Sequence, residues 1–403
     1  MNIKALRGMK DILPPESDTY LLFLESASEI AQRYGFSYIE TPLLEECMLF
    51  KRSVGESSDI VGKEMYEFID KGGNEVCLRP EGTAGVVRCF VEHKFDRQNS
   101  KQRFFYYGPM FRYERPQKGR LREFHQFGVE SFGEGSVYED AAIILLAKNI
   151  LDHFRIDYTL KINSLGCPTC VPAYRQKLVA FLSSKEEICD DCKRRKQTNP
   201  IRVLDCKNAR CQEIYKEAPK LTDHLCQECE RDFTLLQELL KKEGVEFEVD
   251  KNLVRGLDYY TKSAFEFVST ALGAQNAVAG GGRYDLLVEQ LGGRPTPAVG
   301  FAIGIERILE LVELPQKRRE GYYFGVMIEE ALPQAFHLCQ KIRASQKALF
   351  EPTPKSLKAH LKAADKAGAR YACIIGEEEL ENGTIWIKDL ENKEEKVLNV
   401  SEF

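Results

Sequence analysis

No stretch of the 403-residue chain approaches the 18 consecutive apolar residues that a membrane-spanning helix needs. The N-terminal stretch MNIKALRGMKDILPPES also lacks the apolar core of a secretory signal. The expectation is a cytoplasmic protein with no membrane partner. No internal repeat and no low-complexity tract stands out. Nucleotide-binding signatures are missing too: there is neither Gly-x-x-x-x-Gly-Lys-Ser/Thr nor Gly-x-Gly-x-x-Gly, so any bound nucleotide must be held by side chains rather than by a glycine loop. Net charge is only −5, which leaves nucleic-acid contact to local basic patches.

What is present is ordinary soluble composition, 43% hydrophobic and 30% charged. The length exceeds what one core fills and implies two or three domains. Apolar spacing predicts a helix over Thr19–Tyr34 and another over Glu139–Phe154. Tyr38–Pro42 reads as a short strand ending at proline. Two strands, Arg103–Arg112 and Phe124–Phe132, flank an arginine-rich loop. Helix is also expected over Ile303–Val312. Beyond PQKRREG (Pro315–Gly321), a linker candidate, strand Tyr322–Ile328, helices Leu332–Ser345 and Ser356–Ala367, and strand Tyr371–Ile375 alternate as in a small α/β domain.

The loop FRYERPQKGRLREFHQFGVE (Phe111–Glu130) carries the first chemical signal. From Arg112 to Arg122 it holds four arginines and one lysine against one glutamate. Arginine forks bind phosphate oxygens in pairs and stack on aromatic faces, so the loop suits a nucleotide. A solvated basic hairpin tip is the plainer reading of the charge alone. Further signals are LRPEGTAGVVR (Leu78–Arg88), LVRGLDYYTKSAFEF (Leu253–Phe267), GGGRYDLLVEQLGG (Gly280–Gly293) and PAVGFAIGIERI (Pro297–Ile308). Taken singly, Glu81 and Glu130 read as surface carboxylates, Tyr259 and Tyr260 as strand packing, the triple glycine as a bulge or turn, and His125 as structural.

Together and in order, these segments resemble the histidyl-tRNA synthetase family of the class II aminoacyl-tRNA synthetases over nearly the whole chain. The Pro42 region resembles motif 1, the Phe111 loop motif 2, and Gly300–Arg307 motif 3. Arg255–Tyr260 and Gly280–Asp285 resemble the two stretches that mark the histidine enzyme. The resemblance implies an α+β catalytic domain on an antiparallel sheet with helices (1–165 and 245–314), a helical insertion (166–244), a linker (315–321) and a C-terminal α/β anticodon-binding domain (322–403). It also implies a homodimer that takes L-histidine, ATP with Mg2+, and tRNA(His).

Roles come from the resemblance residue by residue. Arg112 takes the α-phosphate and the substrate carboxylate, and Arg255 the far side of that phosphate; these two are the catalytic candidates. Phe124 and Arg307 sandwich the adenine, Arg120 reaches the terminal phosphates, and Glu114 lies near the adenine or amino end of the loop. Glu81, Gly82, Thr83 and Gln126 receive the ammonium and neighbouring atoms. Glu130 and Tyr260 hold the imidazole nitrogens with Tyr259 beside them. Arg115 and Gln117 meet the tRNA acceptor end. In the C-terminal domain the helix with Lys355, Lys358, Lys362, Lys366 and Arg370 is either a tRNA surface or a solvated face. Two rival functions are a non-catalytic histidine-sensing regulatory subunit and a synthetase for another amino acid such as proline or threonine. The retained arginines and C-terminal domain argue against the first, and Arg-Gly-Leu-Asp-Tyr-Tyr against the second.

The insertion holds eight of the thirteen cysteines, as Cys167/Cys170, Cys189/Cys192, Cys206/Cys211 and Cys226/Cys229. In a cytosolic chain they are thiols or metal ligands rather than disulfides. Spacing by two residues suits tetrahedral zinc. Two zinc ions and a metal-free helical insertion both remain open from sequence.

Overall fold

In a computed structural model the described residues are 3–55, 58–98, 101–117, 119–206, 208–273, 277–312 and 319–402. Most of the linker stretch 315–321 therefore lies outside them. The chain divides into two compact units, Met1–Glu313 and Leu314–Phe403.

The first unit contains strands β1 (Ser37–Tyr38), β2 (Leu44–Glu46), β3 (Tyr66–Ile69), β4 (Glu75–Leu78), β5 (Gln102–Phe111), β6 (Glu123–Phe132), β7 (Thr159–Ser164), β8 (Glu248–Val249), β9 (Thr261–Val268), β10 (Ala277–Arg283) and β11 (Ala298–Gly304). Eight of them form one sheet in the order β1-β5-β6-β11-β10-β9-β7-β8, while β2, β4 and β3 make a small separate sheet. The large sheet is antiparallel except where short β1 joins β5 and short β8 joins β7.

Strand side chains alternate between faces, and the two faces of this sheet differ sharply. One face presents Phe105, Phe127, Val129, Phe265, Phe267, Val299, Phe301 and Ile303, all buried with helices Glu16–Arg33 and Val137–His153. The other face is divided: Phe104, Tyr106, Met110 and Phe132 join a second apolar cluster with helix Thr83–Glu92, and beside it the paired positions are small or polar. Gln126 faces Gly304, Glu130 faces Gly300, Gly280 faces Ala302 on one side and Glu266 on the other, and Tyr106 faces Gly128. The apolar face buries a core, and the small-residue part of the other leaves a trough.

A buried charge network pins the edge of that trough. Arg283, 1% exposed, donates from Nε to Asp140 at 3.0 Å, while Ser263 donates to the same carboxylate at 2.6 Å. The arginine-rich loop is held from the N-terminal side: Arg122 N donates to Gly8 O at 2.7 Å, and its guanidinium lies 3.7 Å from the Tyr113 ring centroid.

The region from Gly166 to Gly244 is helical and belongs to the first unit. Helices Cys170–Ser183, Asp190–Thr198, Ala209–Tyr215 and Gln227–Lys242 surround their own small core of Tyr174, Leu178, Leu182, Val203 and Tyr215. In the second unit, β12 (Tyr322–Val326), β13 (Ala348–Phe350), β14 (Tyr371–Ile375), β15 (Thr384–Asp389) and β16 (Glu395–Asn399) form a sheet ordered β13-β12-β14-β15-β16. Helices Leu332–Arg343 and Leu357–Lys366 connect the parallel strands.

Candidate active site

The trough opens into a cleft of about 330 Å³ lined by Glu81, Thr83, Arg112, Glu114, Arg120, Phe124, Gln126, Arg255, Tyr259, Tyr260, Glu266 and Arg307. Residues from five separate segments thus meet on the small-residue part of the sheet. Gly82, Arg115, Gln117 and Glu130 do not line the cleft itself. Gly82 caps helix Thr83–Glu92. Arg115 and Gln117 are exposed on the loop, where Gln117 exchanges backbone hydrogen bonds with Arg120 at 3.0 and 2.9 Å.

One end of the cleft is cationic. Arg112 donates to Pro80 O at 2.8 Å and lies 5.1 Å from the Phe124 ring centroid. Arg120 pairs with Glu114 at 2.5 Å. Arg307, from helix Ile305–Leu311, donates to Gly119 O at 3.1 Å and to Ala277 O. Burial, and then the like charges of Arg120 and Arg112, hold Arg307 below its ordinary pKa. Three guanidinium groups that repel one another have the electrostatics of a site shaped for an anion.

Arg255 enters the cleft from a separate segment. Its Nη1 donates to Glu266 at 2.6 Å, its guanidinium carbon is 5.6 Å from the Tyr260 ring centroid, and its buried Nε has no hydrogen-bond partner. It lies flat on Gly280, where a Cβ would come within 2.4 Å of Nη1. Gln126 Oε1 is likewise buried without a partner. An unpartnered donor and acceptor in one cleft favour a polar ligand over an empty site.

Two buried carboxylates lie at the floor, Glu81 lining the cleft and Glu130 beneath it. Glu81 is 3% exposed and accepts from the backbone amides of Thr83 at 2.8 Å and Ala84 at 2.9 Å, so it caps the following helix. Tyr259 reaches the same carboxylate at 3.4 Å. Glu130, 1% exposed, accepts from Thr83 Oγ1 at 2.7 Å, from Tyr106 at 3.2 Å and from Tyr284. A Cβ on Gly300 would stand 2.0 Å from Glu130 Oε2. The surface-carboxylate reading of Glu81 and Glu130 is therefore wrong, since both are buried. Tyr106 and Tyr284 escaped sequence reasoning, although Tyr284 sits inside the quoted Gly-Gly-Gly-Arg-Tyr-Asp stretch. His125 is structural: its backbone N and Nδ1 both meet Glu306, at 2.9 and 2.7 Å.

An antiparallel sheet flanked by helices, with an arginine-lined cleft on one face, is the arrangement of a class II aminoacyl-tRNA synthetase. Comparison with known proteins narrows the class. A histidyl-tRNA synthetase family model matches residues 8–308, and an anticodon-binding-domain model matches 322–403. The chain is 70% identical to the histidine–tRNA ligase of Nitratiruptor sp. over 100% of its length and 99% of the relative's, and 54% identical to that of Campylobacter jejuni over the same shares. Apo histidyl-tRNA synthetase of S. aureus superposes with a TM-score of 0.83 at 33% identity, covering 99% of this chain and 98% of that one. An ATP phosphoribosyltransferase regulatory subunit/histidyl-tRNA synthetase from Bacillus halodurans shares the fold, with a TM-score of 0.66 at 22% identity. The chain belongs to the histidyl-tRNA synthetase family.

Burial pushes the Glu130 carboxyl up to about 8, against the hydrogen bonds from Tyr284 and Thr83 that pull it down. The native state therefore holds a proton there between about 4.5 and 8 that the unfolded chain has released. Stability contributed by this group is present below that window and is lost as pH rises through it. Glu130→Gln cannot lose the proton. The thermal midpoint of the parent should fall relative to the Gln variant as pH rises from about 5 to 8. Parallel midpoint curves, measured by calorimetry, would show that Glu130 is already ionised.

Proposed function

We propose that this cleft carries out the family reaction with the following assignment of side chains. The enzyme is a histidine–tRNA ligase. It activates L-histidine with ATP to histidyl-adenylate and diphosphate, then passes the histidyl group to tRNA with release of AMP. The observation that supports the assignment best is the convergence on one cleft of Arg112, Arg120 and Arg307, whose charges bear on one another, with Arg255 from a separate segment.

Attack of the histidine carboxylate on the α-phosphorus needs no protein nucleophile. Positioning and charge stabilisation do the work. Arg112 takes the α-phosphate and the incoming carboxylate, Arg255 the opposite side of that phosphate, and Arg120 the terminal phosphates. Phe124 and Arg307 hold the adenine between them, and Glu114 borders it. Gln126 Oε1 accepts from the substrate ammonium, with Glu81 and Thr83 completing that end around Gly82. Tyr260 meets the imidazole. Glu130, beneath the cleft, is assigned the other imidazole nitrogen, with Tyr259 alongside. A carboxyl and a phenol suit the two unlike imidazole nitrogens.

Mg2+ accompanies ATP in this chemistry. The cleft offers it few protein ligands, Glu114 being paired with Arg120 at 2.5 Å, which suits an ion held mainly by phosphate oxygens and water. When bound, the ion neutralises phosphate charge; the arginines orient the phosphates with or without it.

The first unit forms the acyl bond, and the second reads the tRNA anticodon region through helix Leu357–Lys366. There Lys358, Lys362 and Lys366 are exposed at one-turn spacing. Lys355 pairs with Glu351, while Arg370 lies 3.5 Å from Asp389 and 3.6 Å from Glu391. The exposed loop residues Arg115 and Gln117 are assigned to the acceptor end. Cytoplasmic location and self-association of two copies complete the reading; the exposed apolar side chains Leu43, Leu44, Met48, Phe68 and Ile69 offer a surface for the latter, which sedimentation velocity reads directly.

Arg255→Ala should slow adenylate formation by about 10²–10³, by analogy with loss of one preorganised donor. Transfer from preformed adenylate should fall much less. Single-turnover kinetics of the two steps separates them, and adenylate formation within about threefold of the parent would make Arg255 a structural residue. Changing Lys358, Lys362 and Lys366 together to Glu should lower kcat/KM for tRNA by at least about tenfold and flatten its salt dependence, leaving adenylate formation intact. Unaltered tRNA charging would return that helix to a solvated face.

A further inference from the structure

The eight cysteines of the helical insertion fall into two separate groups of four. In each group the four sulfurs lie within 4.8 Å of one another: Cys167, Cys170, Cys226 and Cys229 in one, Cys189, Cys192, Cys206 and Cys211 in the other. The pairing is nested. The outer group joins the two ends of the insertion, and the inner group closes a loop inside it.

The geometry points to more than buried thiols. Sulfur separations are 3.6 Å for Cys167–Cys170, 3.8 Å for Cys167–Cys226 and 3.7 Å for Cys189–Cys206. A tetrahedron of sulfurs about 2.3 Å from a central zinc has edges of about 3.8 Å. A disulfide would need about 2.05 Å, and all thirteen cysteines are free. Backbone amides also point at the sulfurs: Cys226 N to Cys170 Sγ at 3.0 Å, Cys189 N to Cys211 Sγ at 3.2 Å, and Asn208 N to Cys206 Sγ at 3.4 Å. Such amides favour thiolate, the form that binds metal. The insertion's own core is small, a setting in which a metal staple supplies what apolar burial does not.

The inner group is also tied to the cleft. Cys189 caps helix Asp190–Thr198, whose Arg194 and Arg195 pair with Asp59 at 2.9 and 2.7 Å. Asn199 donates to Asp258 at 3.0 Å. Arg202, in the turn that leads into Cys206, lies 3.1 Å from Asp258 and donates to Gly256 O. Gly256 and Asp258 lie between Arg255 and Tyr259–Tyr260. The chain from inner cluster to catalytic loop is thus Cys206, Arg202, then Gly256 and Asp258.

We propose that the insertion binds two zinc ions, one in each four-cysteine group, and that the inner zinc positions the Arg255–Tyr260 loop through Arg202. Zinc is favoured because four thiolates in a closed tetrahedral set match a structural zinc site and leave no open position for chemistry. Arg202 is a positioning residue. The positioning half rests on the reading of the cleft given above; the metal count does not.

The test uses the full-length protein purified without chelator. Elemental analysis should find two zinc ions per chain. Cys206→Ser with Cys211→Ser should leave one, and Cys226→Ser with Cys229→Ser should remove the other. If a cysteine variant does not fold, release of zinc from the parent by a thiol-modifying mercurial, counted with a metallochromic dye, decides the number. Arg202→Ala should keep both zinc ions yet raise the KM for histidine and lower the adenylation rate by about tenfold or more, and Arg202→Lys should recover part of the loss. Less than about 0.2 zinc per chain, or iron in its place, overturns the metal assignment. Two zinc ions with parental adenylation in Arg202→Ala overturns the positioning role and leaves the zinc sites standing.

Discussion

The cleft of the first unit depends on a patch of small residues on one face of its sheet. Gly280, Gly300, Gly304 and Gly128 lie there, and the space they leave is filled by functional groups, some from the neighbouring strand and some from distant segments. Arg255 lies on Gly280 and Glu130 presses against Gly300; a methyl group at either position would collide with them. The opposite face compensates with phenylalanines and branched aliphatics packed under two long helices. The near face carries a second apolar cluster beside the trough, so only its glycine-lined part is given over to polar groups.

Burying that chemistry has an energetic cost, met in two ways. Where the polar group has a fixed role in the frame, it is satisfied: Arg283 by Asp140 and Glu81 by the amides of helix Thr83–Glu92. Where a ligand is to arrive, satisfaction is incomplete. Gln126 Oε1 and Arg255 Nε lack partners, and Arg307 is held below its ordinary pKa beside two other arginines. Groups left in this state suit an anionic nucleotide and an ammonium-bearing amino acid, the ligands proposed for the cleft.

Much of the frame was legible in the sequence because strong periodicity survives tertiary context. Strand Tyr371–Ile375 has the expected ends, and helix Glu16–Arg33 differs from the expected one by a few residues. Of the stretch Tyr38–Pro42 only Tyr38 is strand, at the end of the two-residue β1 that pairs with β5. The triple glycine, readable as a bulge or turn, lies within a strand, with register shifts at Ala277–Ala279 and at Gly282–Arg283. Its reason, a guanidinium lying on it, comes from a distant segment and has no local signal. The same holds for Tyr106 and Tyr284. Each looks like a core aromatic until Glu130 is found between them. Cysteine spacing suggested metal, but which pairs combine was invisible, because nesting is a property of the folded loop.

The central claim is that this cleft activates histidine and rejects the other amino acids, and amino-acid-dependent ATP–pyrophosphate exchange tests it most directly. A pocket built to hydrogen-bond both imidazole nitrogens should discriminate against analogues lacking them by about 10⁴ or more. Purified protein should exchange labelled pyrophosphate into ATP with histidine, and at background rates with each of the other amino acids, proline and threonine included. Exchange driven equally by another amino acid, or none with histidine under conditions in which the protein is folded, would contradict the account.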